Sequence, residues 1–108
     1  MHLLPRCIEK YLTTSGRCPF DEWLESLKDK KMQAIVATRL NRVIQGNFGL
    51  CRQIDKNIWE LKINFGPGLR IYFAMDSETI VLLLCGGDKS TQAHDIVKAK
   101  TYWIDYCK

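Results

Sequence analysis

Two alternating runs in the middle of the chain constrain the fold most. Trp59, Leu61, Ile63 and Phe65 alternate with Glu60, Lys62 and Asn64; after Gly66-Pro67-Gly68, Leu69, Ile71 and Phe73 alternate with Arg70, Tyr72 and Ala74. Alternation of this kind marks a half-buried strand, because successive side chains point to opposite faces of a sheet. Two such runs on either side of a glycine–proline turn read as a β-hairpin. A turn confined to Gly66-Pro67-Gly68 predicts Phe65 opposite Leu69, Ile63 opposite Ile71 and Leu61 opposite Phe73, with Asn64 facing Arg70 and Lys62 facing Tyr72. The apolar pairs then share one face, and the other face collects Lys62, Asn64, Arg70 and Tyr72.

The flanking segments supply what packs on this hairpin. Cys7 to Leu12 mixes alternation with β-favouring residues and runs into Thr13-Thr14-Ser15-Gly16, a strand followed by a turn. Pro19 suits the first turn of a helix, where a missing N–H costs nothing, and Asp21 and Glu22 suit its positive end. Phe20, Trp23, Leu24 and Leu27 give that helix an apolar stripe. After Lys28-Asp29-Lys30-Lys31 a second stripe follows in Met32, Ile35, Val36, Leu40, Val43 and Ile44, stopped by Gly46. A helical hairpin and one long bent helix both satisfy this pattern. Asp76-Ser77 marks another turn, and from Thr79 the chain stays apolar through Cys85, as in a central strand covered on both faces. Beyond Gly86-Gly87-Asp88-Lys89, Ser90 or Thr91 is placed to cap a last helix with Ile96, Ala99, Tyr102, Trp103 and Tyr106 on its apolar side. The order β-αα-βββ-α predicts an α+β fold: a small, mostly antiparallel sheet with two N-terminal helices and a C-terminal helix. No repeat, low-complexity tract or linker divides residues 1–108, so one domain is expected.

Composition matters where it touches chemistry. The formal net charge of +4 suits an anionic partner without requiring one. Cys7, Cys18, Cys51, Cys85 and Cys107 form no C-x-x-C pair and fit reduced thiols. The first residues hold no signal-like apolar stretch, and Ile80 to Cys85 is far too short to span a bilayer, so a cytoplasmic protein without membrane contact is expected. His2 and His94 lie far apart, and no Cys or His pair has zinc-ligand spacing, so no metal and no other cofactor is expected.

On the polar face of the hairpin, Arg70 can fork onto a phosphate, Lys62 can act as a mobile point charge, and Tyr72 can stack on a base or donate a hydrogen bond. With Asn64 beside them the set suits RNA, although any antiparallel sheet also keeps polar residues on its wet side. Gly86 to Thr91 superficially suggests a phosphate loop. It is not a Walker A motif: an Asp precedes Lys89, the spacing fails and no βαβ unit surrounds it. The plainer account is a strand-to-helix turn whose glycines provide backbone freedom. Histidine titrates near neutrality, which makes His94 a candidate for proton transfer, against the plainer account of a surface histidine. Trp23, Trp59 and Trp103 fall on apolar sides and read as core.

The runs Trp59-Glu60-Leu61-Lys62-Ile63, Gly68-Leu69-Arg70-Ile71-Tyr72-Phe73 and Leu83-Leu84-Cys85-Gly86-Gly87-Asp88-Lys89-Ser90-Thr91-Gln92 resemble phage-derived addiction module killer proteins. These are HigB-like toxins of the RelE/ParE superfamily. The likeness continues through Asp95-Ile96, Ala99, Tyr102-Trp103 and Asp105-Tyr106, and more weakly through Phe20, Trp23 and Leu24. The resemblance implies a small curved sheet with two N-terminal helices on one side. It also implies the toxin of a type II toxin–antitoxin pair, a metal-independent endoribonuclease that cuts mRNA in the ribosomal A site. Its partners would be the ribosome, mRNA and an antitoxin from an adjacent gene, a helix-turn-helix protein. By position, Arg70 matches the family's strand arginine that holds the scissile phosphate, Lys62 matches a basic residue on the preceding strand, and Lys89 falls near a third. The RNA-binding set is then Lys62, Asn64, Arg70 and Lys89.

Proton transfer is where the chain departs from RelE-like enzymes, which place a Tyr or an acidic residue near the start of the last segment. Asp88, His94 and Asp95 are nearest here, and Tyr72 or His94 is the favoured assisting group. A ParE-like inhibitor of DNA gyrase shares the fold and needs no ribonuclease site. A non-catalytic RNA- or protein-binding module on the same fold is the third reading.

Overall fold

The computed structural model describes residues 4–108. The elements are β1 (Cys7–Lys10), α1 (Pro19–Ser26), α2 (Lys30–Ile44), β2 (Cys51–Gln53), β3 (Ile58–Ile63), β4 (Leu69–Met75), β5 (Ile80–Gly87) and α3 (Gln92–Tyr106), with one 3₁₀ turn over Lys89–Thr91. The strands form one sheet in the order β1-β5-β4-β3-β2. Only β1 runs parallel to its neighbour, β5. The fold is therefore α+β with a mostly antiparallel sheet, as the element order predicted. β4 holds the middle of the sheet, with the long apolar strand β5 beside it rather than at the centre.

The helical stretch is two helices, and local chemistry decides this. Pro19 opens α1 with Asp21 and Glu22 in its first turn. Asp29 then caps α2, its carboxylate accepting from the Lys31 amide at 2.8 Å. The Gln33 side-chain amide donates to the carbonyls of Leu24 at 3.3 Å and Leu27 at 2.6 Å, filling the open end of α1 and fixing the hairpin angle. Gly46, at φ 91°, ends α2 in a left-handed turn that suits glycine. Its amide donates to Val43 O and that of Asn47 to Arg42 O, both at 2.8 Å, the paired bonds of a Schellman stop.

Two apolar layers sandwich the sheet. On one face Leu61, Ile63, Leu69, Ile71, Phe73, Val81 and Leu83 meet Phe20, Val36 and Val43 of α1 and α2. On the other, Ile58, Tyr72, Ala74, Leu82, Leu84 and Cys85 meet Ala99, Ile96, Tyr102 and Trp103 of α3, with Tyr11. The register shifts between Tyr72 and Phe73, where Tyr72 pairs with Cys85 and Phe73 with Leu83. That bulge turns both Leu84 and Cys85 toward α3, which strict alternation would forbid.

The β3–β4 register corrects the expected pairing. Ile63 lies opposite Leu69, Lys62 opposite Arg70, Leu61 opposite Ile71 and Glu60 opposite Tyr72. The connection spans residues 64–68 instead of three residues, so the strands slip by two. A slip of two keeps every side chain on its face, and the partition into an apolar and a polar face survives. The polar face is only partly wet, however: α3 lies across Glu60 and Tyr72, while Asn64 stays exposed and Lys62 half-exposed. The glycines of β5 also serve another purpose than backbone freedom. A Cβ on Gly86 would enter the Trp23 ring, and one on Gly87 would enter the Asp95 carboxylate. α1 on one side and α3 on the other approach the strand that closely.

Candidate functional site

The β3–β4 connection, the start of β4 and the β5–α3 turn converge on a cleft of about 330 Å³. It is lined by Lys62, Asn64, Phe65, Gly66, Pro67, Gly68, Arg70 and Lys89. Lys62 and Arg70 arrive as a cross-strand pair. Lys89 comes from the 3₁₀ turn after β5, where Asp88 acts as the cap. The Asp88 carboxylate accepts from Ser90 N at 2.8 Å and Ser90 Oγ at 2.6 Å, while Thr91 Oγ1 accepts from the Asp88 amide at 3.2 Å. Asp88 thus caps the 3₁₀ turn, while Thr91 holds the N-cap position of α3 without a side-chain cap bond. The bond from Ser90 leads in holding its carboxyl below the ordinary aspartate value, with the charge of Arg70 adding to it. α2 braces the other wall: Arg39 donates to the carbonyls of Lys62 at 2.8 Å and of Phe48 and Leu50 at 3.0 Å.

Arg70 is the buried member, 5% exposed. Its Nη1 donates to Gly68 O at 3.0 Å. Its Nε sits 3.5 Å from Glu60 Oε2, an ion pair beyond good hydrogen-bond length, and makes no hydrogen bond. Glu60, 2% exposed, accepts from Arg52 Nε at 2.9 Å, Gln92 Nε2 at 2.9 Å and Tyr72 Oη at 3.0 Å. Burial alone would push the Glu60 carboxyl up, but the bonds from Gln92, Arg52 and Tyr72 and the charge of Arg52 outweigh it, leaving the group below the usual glutamate value. Glu60 is thus a fixed negative charge beneath the cleft, not a proton carrier. A second recess, of about 370 Å³, continues past Lys62 and Arg70 toward Arg52, Glu60 and Gln92.

Lys62, Asn64, Arg70 and Lys89 therefore meet around one cleft, and the two remaining candidates do not join them. Tyr72 is 0% exposed beneath α3 and cannot offer its ring to a base. Its hydroxyl donates to Glu60, and burial, followed by the Glu60 charge, raises its pKa far above the tyrosine range. It buttresses the cleft from below. His94 is exposed on the first turn of α3 and does not line the cleft. Glu60, Arg52 and Gln92 were not anticipated as site residues. Alternation had already put Glu60 on the face of Lys62 and Arg70, a carboxylate in line with two cations, whereas nothing local marked Gln92, which α3 brings from 32 residues away.

The arrangement suits a phosphate: one forked, pre-positioned cation, two lysines and an amide, with no carboxylate lining the cleft. Among the described residues no cluster of three or more His, Cys, Asp or Glu is placed to hold a metal ion, and no helix is long and apolar enough to cross a membrane. His2 lies outside the described residues.

An uncharacterized protein of Haemophilus influenzae (strain ATCC 51907 / DSM 11121 / KW20 / Rd) is 44% identical over 81 residues, covering 75% of this chain and 82% of that protein. The model of the family described as Phage derived protein Gp49-like (DUF891) matches residues 22–103, from the first turn of the first helix to the last helix. The chain belongs to this Gp49-like family of phage-derived proteins.

Proposed function

We propose that the protein is the toxin of a toxin–antitoxin pair and acts as a ribosome-dependent endoribonuclease, holding an mRNA phosphate in the cleft of Lys62, Asn64, Arg70 and Lys89. The observation that carries the reading is Arg70: a buried guanidinium, braced by Glu60 and Gly68, at a cleft ringed by two lysines. Desolvated, pre-oriented cations stabilise charge developing on a phosphate far better than solvated ones. The RNA 2′-oxygen attacks the adjacent phosphorus and the bond to the 5′-oxygen breaks. A 2′,3′-cyclic phosphate and a free 5′-hydroxyl result, the proton passing from the nucleophile to the leaving oxygen. No metal enters this reading. Neither Tyr72, buried beneath α3, nor His94, which does not line the cleft, is placed to carry that proton, and the reading assigns it to no side chain.

The partners are the ribosome with its mRNA, and an antitoxin that covers the cleft. Induced expression of wild type, Arg70→Ala and the exposed-side variant Lys62→Ala/Lys89→Ala, with primer extension on a reporter mRNA, tests the reading. Growth arrest with new 5′ ends inside codons is expected, falling about a hundredfold or more in Arg70→Ala. Arrest without cleavage would favour gyrase as the target, and harmless expression would favour a binding module.

A further inference from the structure

A different recess lies at the far end of the β3–β4 hairpin, on the face packed by α1 and α2. Phe48, Cys51, Trp59, Phe73 and Met75 line it, with Arg6, and it encloses about 240 Å³. Phe48 stacks on Phe73 with centroids 5.6 Å apart, and the Arg6 guanidinium lies 5.3 Å from the Phe48 centroid. Arg6 Nη1 donates to Leu4 O at 2.5 Å, while its Nε is buried with no hydrogen-bond partner among the described residues. Among the described residues no carboxylate lines the recess. Exposed apolar residues adjoin it: Leu4 at 55%, Ile44 at 44%, its carbonyl bonded by the Arg6 amide, and Leu50 at 54%, next to Cys51.

Volume and charge together name the occupant. Small-molecule sites enclose roughly 300–1,000 Å³, so this recess suits one anchored side chain better than a whole ligand. Interfaces gather their binding energy at such anchors, aromatic ones above all. Arg6 borders the recess, whose described lining holds no carboxylate, and a carboxylate is the group a guanidinium pairs with best. We propose that the recess docks an acidic segment of a partner protein, seating one aromatic side chain among Phe48, Trp59 and Phe73 and one Asp or Glu carboxylate on Arg6. The site is separate from the anion cleft and stands whether or not the protein cuts RNA.

The test is an NMR titration of the whole ¹⁵N-labelled chain with the blocked peptide Glu-Trp-Glu at about 0.15 M salt. Glu-Gly-Glu and Lys-Trp-Lys serve as comparisons, and Arg6→Gln, checked for an unchanged melting curve, as the variant. Expected are saturating amide shifts around Arg6, Phe48, Cys51 and Trp59. Affinity should fall roughly fivefold, about the worth of one ion pair, for Lys-Trp-Lys and for Arg6→Gln. Glu-Gly-Glu should move nothing there. Equal affinity for both tryptophan peptides would reduce the recess to a bare apolar pocket and overturn the proposal. So would shifts spread over the basic surface, no shift up to about 10 mM peptide, or concentration-dependent shifts of the same residues without peptide, which would make a second copy the occupant.

Discussion

Burying an arginine beside a cleft is costly unless a countercharge lies close, and Glu60 supplies it while also accepting from Arg52, Gln92 and Tyr72. Glu60→Gln keeps the shape and removes the charge, so it is expected to cost about 3 kcal/mol at pH 7, read as a shifted urea midpoint. The pH dependence follows from a carboxyl held below its ordinary value: its contribution is full above about 4.3 and is lost as pH falls through the lower value in the fold. Wild type and Glu60→Gln should therefore converge in stability on acidification. A gap that persists at pH 3 would show that the charge is not what Glu60 contributes. The two-residue slip explains why this residue escaped notice: Lys62 was expected opposite Tyr72, a place Glu60 holds.

At the level of elements, the strand β5 is closed in from both sides, and its end shows it. Gly86→Ala would drive a methyl group into the Trp23 ring, an overpacking worth about 1–3 kcal/mol of stability. Trp23→Leu in the same chain should recover part of that loss; strictly additive losses in a double-mutant cycle would rule the collision out. The helices, the hairpin and the final amphipathic segment were legible because each runs long enough for its period to repeat. β2 was not: Cys51–Gln53 offers three residues and no repeat. Nor could the stripe of Ile96, Ala99, Tyr102 and Trp103 reveal which sheet face it covers. It covers the face bearing Arg70 and Tyr72, and that placement turns solvated neighbours into a buried ion network. The gathering of Lys62, Asn64 and Arg70 was readable because alternation and a turn fixed it locally; Lys89, which arrives after β5, joined the set only through the family resemblance.

Across the whole molecule, the two ends of the fold are tied together. Tyr11, just past β1, donates its hydroxyl to Asp105 near the end of α3 at 2.5 Å and stacks on Tyr102, ring centroids 5.0 Å apart. Burial, then the Asp105 bond, raises the Tyr11 pKa to about 12. A raised value favours the neutral hydroxyl, so this contribution is present below about 10 and is lost as pH climbs toward 12. Tyr11→Phe should lower the melting temperature by roughly 5 °C at neutral pH, about 1 kcal/mol, and leave the variant less sensitive to alkali than wild type. Equal melting temperatures would show that the stacked ring alone holds the ends. The parallel pairing of β1 with β5 has a consequence for biosynthesis. The first strand to leave the ribosome finds its partner only when residues 80–83 have followed it out. Until then the helical hairpin waits on an unfinished sheet, and the anion cleft, which needs Lys89, does not exist. The chain is assembled C-terminus last, and the cleft is complete only once Lys89 has emerged.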